Sequence, residues 1–259
     1  MGLEQSLPHH PSAITAAPAQ GGAPDTAILG SATSSSQMMS AWTDAHLTTA
    51  QLAWKHAEHM LIKKAIESGD IVIDLGCGDC RILKSLQNAP FAQYIGVDHD
   101  AASIEEARRA FPSPTIPNST FLAADLFRAL PDMFLQEGAP IGRRVAICIG
   151  NTLGSFGDLR ADALNAMLRF SDVTIVSVCH NTKEITLKRL EYYAKNEIDC
   201  RVDWKSGSIF SDAWGESRSF TEESLRALAE QAHAKELGFA AEFQTIAEFG
   251  LVMVLTKQQ

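Results

Sequence analysis

The run Ile71-Val72-Ile73-Asp74-Leu75-Gly76-Cys77-Gly78 admits few folds. A short, almost unbroken apolar run that is rich in β-branched residues reads as a strand covered on both faces. The two glycines after it supply a tight turn whose backbone can approach a ligand closely. A second run, Tyr94-Ile95-Gly96-Val97-Asp98, repeats the pattern and ends on a carboxylate. An acid ending the strand after a glycine turn can accept from both hydroxyls of a ribose. Together the two runs predict an α/β sheet with a nucleoside site at the carboxyl ends of its strands.

The remainder of the chain keeps that rhythm. Strands are expected near 71–75, 94–98, 120–124, 145–150 and 173–179, and helices near 81–88, 101–110, 158–170, 183–195 and 221–236. Alternation with short connections implies parallel strands with helices on both faces. After Tyr193 the rhythm changes, and Glu197–Trp204, Ser208–Phe210 and Glu242–Thr256 read as further strands. Upstream, residues 44–68 carry apolar positions near helical spacing, with Trp54 expected to pack on the sheet and His56 and His59 on a solvated face. Residues 1–39 are rich in Ala, Pro, Ser and Gly and are expected to be a disordered tail. Residues 40–259 then form a single domain.

Composition narrows the partners. The net charge of −9 and pI of about 5.3, with lysines and arginines scattered, lead to the expectation of no nucleic-acid partner. The five cysteines form no disulfide pattern and suit a reducing compartment. Cys77-x-x-Cys80 has the spacing of half a zinc site, but no second pair of ligands accompanies it, so no metal is expected. No apolar run approaches the roughly 20 residues that span a bilayer. The first 54 residues hold no lysine or arginine, which removes a secretory n-region. A cytoplasmic location without a membrane partner follows as the expectation, and the oligomeric state is left open.

The glycine turn also discriminates between cofactors. A dinucleotide fold shows Gly-x-Gly-x-x-Gly, whereas the third glycine position is Arg81 here. The order Asp74-x-Gly76-x-Gly78-x-Cys80 instead resembles the first motif of the class I S-adenosylmethionine (SAM) dependent methyltransferases, departing from it at Cys80. Three more runs follow in the family's order: Asp98-His99, Phe121-Leu122-Ala123-Ala124-Asp125-Leu126, and Val145-Ala146-Ile147-Cys148-Ile149-Gly150-Asn151-Thr152. The resemblance spans roughly residues 41–257. It implies a Rossmann-like seven-stranded, mostly parallel sheet with helices on both faces and an antiparallel C-terminal strand pair. The helix at 44–68 would lid the cofactor.

By that resemblance Asp74 lies near the amino-acid end of SAM, and Gly76, Cys77 and Gly78 line its methionine and ribose. Asp98 takes the ribose hydroxyls, His99 flanks the adenine, and Asp125 with Leu126 meets the adenine amino group. Asn151 faces the reacting centre. His180, ending the fifth strand, is the candidate base because an imidazole titrates near neutrality. Tyr192 is the candidate for orienting the acceptor. Each acid has a plainer role as a helix cap, and Asn151 as a turn residue.

The function expected is transfer of the SAM methyl group to a small molecule. Methyltransferases of exocyclic base nitrogens carry Asn/Asp-Pro-Pro-aromatic at the fourth motif, and this chain has Asn151-Thr152-Leu153-Gly154. Two alternatives stand beside it. One is a cyclase that consumes SAM as its own substrate, releasing methylthioadenosine and forming azetidine-2-carboxylate. The other is a SAM-binding subunit without catalysis.

Overall fold

The computed structural model describes residues 43–112, 118–135, 138 and 140–258. The tail expected over 1–39 lies outside them. Helix α1 (Thr49–Ala65) leads into β1 (Ile71–Leu75), α2 (Ile82–Leu86), β2 (Gln93–Asp98), α3 (Ala101–Ala110), β3 (Ser119–Ala123), α4 (Leu126–Phe134) and β4 (Arg144–Cys148). Two short 3₁₀ turns, Thr152–Ser155 and Gly157–Leu159, precede α5 (Arg160–Arg169), β5 (Val173–Cys179) and α6 (Lys183–Lys195). Three short strands, β6 (Arg201–Asp203), β7 (Ser208–Ser211) and β8 (Gly215–Ser217), come before α7 (Glu222–Gln231), β9 (Phe239–Ile246) and β10 (Gly250–Lys257).

The main sheet has seven strands in the order β3-β2-β1-β4-β5-β10-β9. The first five are parallel to their neighbours, and β10 runs antiparallel to both β5 and β9. This is the Rossmann-like arrangement with an antiparallel strand pair at its C-terminal edge. The apolar runs are continuous because both faces are covered. In β1, Ile71, Ile73 and Leu75 join Leu130, Leu164, Met167 and Leu225 from α4, α5 and α7. Val72 points to the other face, among Ile62, Leu83, Leu86 and Ile104 of α1, α2 and α3. Asp74 shares that second face by strand alternation.

Helix α1 starts at a capping box: the Thr48 side chain accepts from the Gln51 amide, and the Gln51 side chain accepts from the Thr48 amide. Its buried residues, Gln51, Trp54, Glu58 and Ile62, recur at helical spacing along one face. Trp54 does pack on the sheet. Its indole stacks on Phe249 with ring centroids 5.1 Å apart and donates to Ser177 Oγ of β5 at 3.1 Å.

Sequence and structure part company in a few places. Helix α4 carries Pro131 within it and was not expected, yet the Asp125 cap and the apolar residues Ala129, Leu130 and Phe134 hold it on the sheet. The expected strand at 197–204 shortens to β6, and β8 was not foreseen. Glu242–Thr256 falls within the hairpin of β9 and β10, the antiparallel pair that the resemblance implies. The antiparallel set β6-β7-β8 is tied to α6 by the buried Arg189, whose guanidinium donates to the Gly207 carbonyl at 2.7 Å and to Ser217 Oγ at 3.0 Å. No helix among the described residues is long and apolar enough to cross a membrane.

Candidate active site

The carboxyl ends of β1, β2 and β4 meet at one rim, as expected for ligand binding in an open α/β sheet. Gly76 and Gly78 both adopt left-handed backbone, φ +68° and +53°, and Cys80 follows at +55°. The Gly76 and Cys77 amides donate to the Val97 carbonyl at 2.8 and 3.2 Å, fastening the turn to β2. Space is the second constraint on Gly76. A Cβ there would lie 2.2 Å from Thr152 Cγ2, so the turn after β1 and the turn after β4 are in direct contact.

Asp74 is buried, and its Oδ2 accepts from the Tyr94 hydroxyl at 2.6 Å. Its Oδ1 is buried with no hydrogen-bond partner. Such an orphaned acceptor costs on the order of 1–3 kcal/mol, more when charged. Burial raises the Asp74 pKa from 3.8 to about 7, against the lowering effect of the Tyr94 bond. Asp98 is arranged differently. Oδ2 accepts from the Gly78 amide at 2.8 Å and Oδ1 from the Asp100 amide at 2.9 Å. Despite burial, its bonds to His99, Asp100 and Gly78 hold its pKa below the ordinary value. Asp98 is therefore a fixed anion at the end of β2.

Glu58 was not singled out in the sequence. It is buried on the core face of α1, and its Oε1 accepts from the Gly150 amide at 3.1 Å, just past β4. Ser177 also bonds to it, completing a relay from the Trp54 indole. Burial raises the Glu58 pKa to about 7, and the Asp74 charge adds to the rise. Its position was legible in principle, since a carboxylate four residues from both Trp54 and Ile62 falls on the apolar stripe.

The other predicted residues are placed as follows. The Cys77 and Cys80 thiols bracket Gly96, where a Cβ would lie 3.0 and 2.6 Å from them, and their mutual bond and burial hold Cys77 protonated. His99 is exposed, with Nδ1 3.3 Å from Asp98 Oδ1, and that carboxylate raises its pKa. Asp125 is exposed and caps α4, accepting from the Phe127 amide at 2.8 Å, with Leu126 half-buried beside it.

Asn151 is buried in left-handed backbone at φ +65°. Its side chain accepts from the Cys179 amide at 2.9 Å and donates to Ser217 Oγ at 3.0 Å, joining β4, β5 and β8. His180 is half-buried at the end of β5, bridged to Phe220. Tyr192 is buried against Tyr193 and Trp214 at centroid distances of 5.8 Å each, and burial raises its pKa. Asp74, Asp98, the glycines, Glu58 and Asn151 thus share the rim of β1, β2 and β4. Tyr192 belongs to the aromatic cluster beneath β6-β8. His59, expected on a solvated face, is half-buried and bonded through Nδ1 to Ser85 Oγ at 2.7 Å.

The set fits a zwitterionic nucleoside ligand. The orphaned Asp74 Oδ1 can receive an ammonium group, and the fixed anion of Asp98 can receive a diol. Comparisons with known proteins agree. Residues 72–170 match the family described as "Methyltransferase domain". Among solved structures, the magnesium protoporphyrin IX methyltransferase of Synechocystis with bound SAH superposes with a TM-score of 0.54 at 14% identity, covering 86% of this chain and 94% of that one. The small RNA methyltransferase HEN1 superposes with a TM-score of 0.56 at 15% identity, over 85% of this chain and 26% of that one. The mRNA cap guanine-N(7) methyltransferase of Saccharomyces cerevisiae is 41% identical over 56 residues, 22% of this chain. The match spans 13% of that enzyme's length. These RNA-acting relatives correct the expectation that nucleic acid is not a partner. An acidic chain average does not report the local charge beside a site, which is where a phosphate is met.

Proposed function

We propose, from the premise that residues 72–170 form a methyltransferase domain on the class I SAM-dependent fold, that this chain methylates a small acceptor held above the ends of β4 and β5. It is an enzyme of that class, and SAM is its cofactor. The observation that carries the reading is the buried, unpartnered Oδ1 of Asp74 beside the Gly76–Gly78 turn. Asp74 would hold the cofactor's ammonium, Asp98 its ribose, and His99, Asp125 and Leu126 its adenine. Bound there, SAM supplies a methyl group already activated on a sulfonium. The protein then has to align the acceptor, exclude water and, for some acceptors, remove a proton.

Asn151 serves this by fixing the rim, because its amide locks the β8 strand to the end of β5. His180 stands at that same end and is the candidate base. Tyr192, with Trp214, forms an apolar wall beneath the β6-β8 cover. Incubation with methyl-labelled SAM and a panel of small metabolites should yield S-adenosylhomocysteine with one labelled product. Failure to form S-adenosylhomocysteine with any acceptor would count against transfer.

Glu58 favours a second reading, the self-consuming cyclase. Two buried acids whose burial raises their pKa to about 7, Asp74 with a free oxygen and Glu58 within its electrostatic reach, would serve to take a proton from a primary ammonium held by Asp74. The freed amine attacks the γ-carbon of the methionine chain, the carbon–sulfur bond breaks, and methylthioadenosine leaves with the sulfur electron pair. Mass spectrometry of the protein with SAM alone separates the two readings. Steady methylthioadenosine release selects the cyclase, whereas intact SAM selects the transferase.

Both readings share a pH dependence. The folded-state pKa values of Asp74 and Glu58, about 7, exceed their ordinary values of 3.8 and 4.5. Between those values the folded state binds more protons than the unfolded one, so these acids lower the stability of the free protein as pH rises to about 7. His59, lowered from 6.5 to about 4, opposes them in the lower part of that window. An ammonium ligand held by Asp74 needs that acid ionised, and a neighbouring Glu58 charge adds to the attraction. The SAM-induced rise in melting temperature should therefore grow between about pH 6 and about pH 8. A rise that is flat across that range would remove the acids from ammonium binding.

A further inference from the structure

Beside the glycine turn, between α1 and α2, lies a cavity of about 540 Å³ that neither reading uses. Lys55, His56 and His59 enter it from α1, and Arg81 and Lys84 from the start of α2. In a chain with 31 acidic and 22 basic side chains, this is a local reversal of sign. Among the described residues the acids that line the cavity are Asp44 and Asp79, and each already has a partner. Asp44 pairs with Lys55 at 2.6 Å and Asp79 with Arg81 at 2.8 Å. Lys84 and His56 are exposed, and their side chains make no hydrogen bond or ion pair among the described residues. With Lys55 and Arg81 paired to those acids, Lys84 carries the uncommitted positive charge.

His59 reports the field inside. Burial is the largest cause of its lowered pKa, and Lys55 and His56 lower it further, outweighing the opposing pull of Asp44. A neutral imidazole with one nitrogen bonded to Ser85 keeps its other nitrogen for a ligand. Lysine and histidine donors approaching from two helices suit a tetrahedral anion better than a planar one. The volume exceeds what one carboxylate occupies and accommodates a phosphoryl group with part of its ester. Asp79 and Arg81 follow directly on the Gly76–Gly78 turn, so the cavity adjoins the rim proposed for SAM.

We propose that this cavity binds the phosphate end of the acceptor, so that the methylated molecule is a phosphate ester. The inference deepens the transferase reading and rests on it for the acceptor's role, while the anion site itself can be tested alone. Lys84 and His56 provide the free donors, the half-buried His59 donates through Nε2 in the tautomer whose Nδ1 accepts from Ser85, and Lys55 and Arg81 supply the surrounding charge. The ligand's second charge would also raise the His59 pKa toward its ordinary value.

The test is titration of inorganic pyrophosphate into the full chain, with and without SAM, followed by calorimetry and by the imidazole nitrogen resonances of His59. Saturable binding with movement of the His59 resonances is expected. The double variant Lys84→Ala with His56→Ala should weaken it at least about tenfold, the equivalent of about 1.4 kcal/mol, and leave SAM affinity unchanged. Absence of saturable binding, or binding that survives the double variant, overturns the site. Guanosine triphosphate and a 5′-triphosphorylated RNA oligonucleotide then compete against pyrophosphate. Competition by either supports a phosphate-ester acceptor, and the tighter of the two names its source. Competition by neither overturns that assignment. Failure of SAM to bind strikes the transferase reading instead, because pyrophosphate is also titrated without it.

Discussion

Replacing Asp98 with alanine should reduce SAM affinity by about 100-fold or more, measured by calorimetry. The carboxylate is held in place by the Gly78 and Asp100 amides and presents a permanent negative charge at the end of β2. Hydrogen bonds to a charged group contribute about 1.5–3 kcal/mol each, and a ribose offers two. The substitution also strips the Gly78 amide of its acceptor, so the turn loosens at the moment the ligand loses its anchor. Asp98→Asn separates the two effects. It keeps one oxygen, which can still accept from the Gly78 amide, and replaces the other with an NH2 that can donate to a hydroxyl but faces the Asp100 amide, so it should lose about tenfold, in line with the weaker neutral bond. Affinity unchanged in Asp98→Ala would take the ribose away from β2 and leave the cofactor unplaced.

Gly76→Ala is expected to damage the fold itself. The new methyl would sit 2.2 Å from Thr152 Cγ2 on a backbone at φ +68°. Left-handed backbone costs a non-glycine residue roughly 1–2 kcal/mol, and overpacking a tight contact adds about 1–3 kcal/mol. For a domain of this size the sum, about 2–5 kcal/mol, corresponds to a fall in melting temperature of about 4–20 °C. Thr152→Ser removes the methyl group in the way. The double variant should recover the overpacking part and keep the backbone part, giving a non-additive cycle. Simple additivity would show that the two turns do not touch.

The parallel strands could be read because a strand covered on both faces has to be apolar almost throughout, and β1, β2, β4 and β5 are. The glycine turn and the acids at strand ends were equally visible, since φ above zero and a strand terminus both restrict residue choice. Helix α4 escaped because Pro131 contradicts local propensity and only tertiary packing resolves the conflict. Strand β8, Gly215-Glu216-Ser217, has no apolar alternation to announce it and is held by backbone pairing and by Ser217. Glu58 hid for a related reason. A carboxylate in a helix reads as solvated until the stripe of Trp54 and Ile62 is drawn through it. Tyr94 gave no sign of its bond to Asp74, because only the pairing of β1 with β2 brings them together. The basic cavity is an assembly of α1 with the start of α2, and neither segment is basic enough alone to stand out.

The strand order has a consequence for synthesis of the chain. Strand β10 follows the other described strands in sequence, yet it lies between β5 and β9 in the sheet. Until it emerges from the ribosome, β5, whose seven residues are all buried in the finished molecule, has an unpaired flank. The β1-to-β5 half can assemble as it is translated, whereas the remaining half must wait for residues 250–257. A nascent chain paused shortly before Gly250 therefore offers an open, strongly apolar edge to its neighbours on the same polysome. Aggregation of the nascent chain should accordingly depend on how quickly residues 250–257 follow β5 and β9, as well as on the stability of the completed fold.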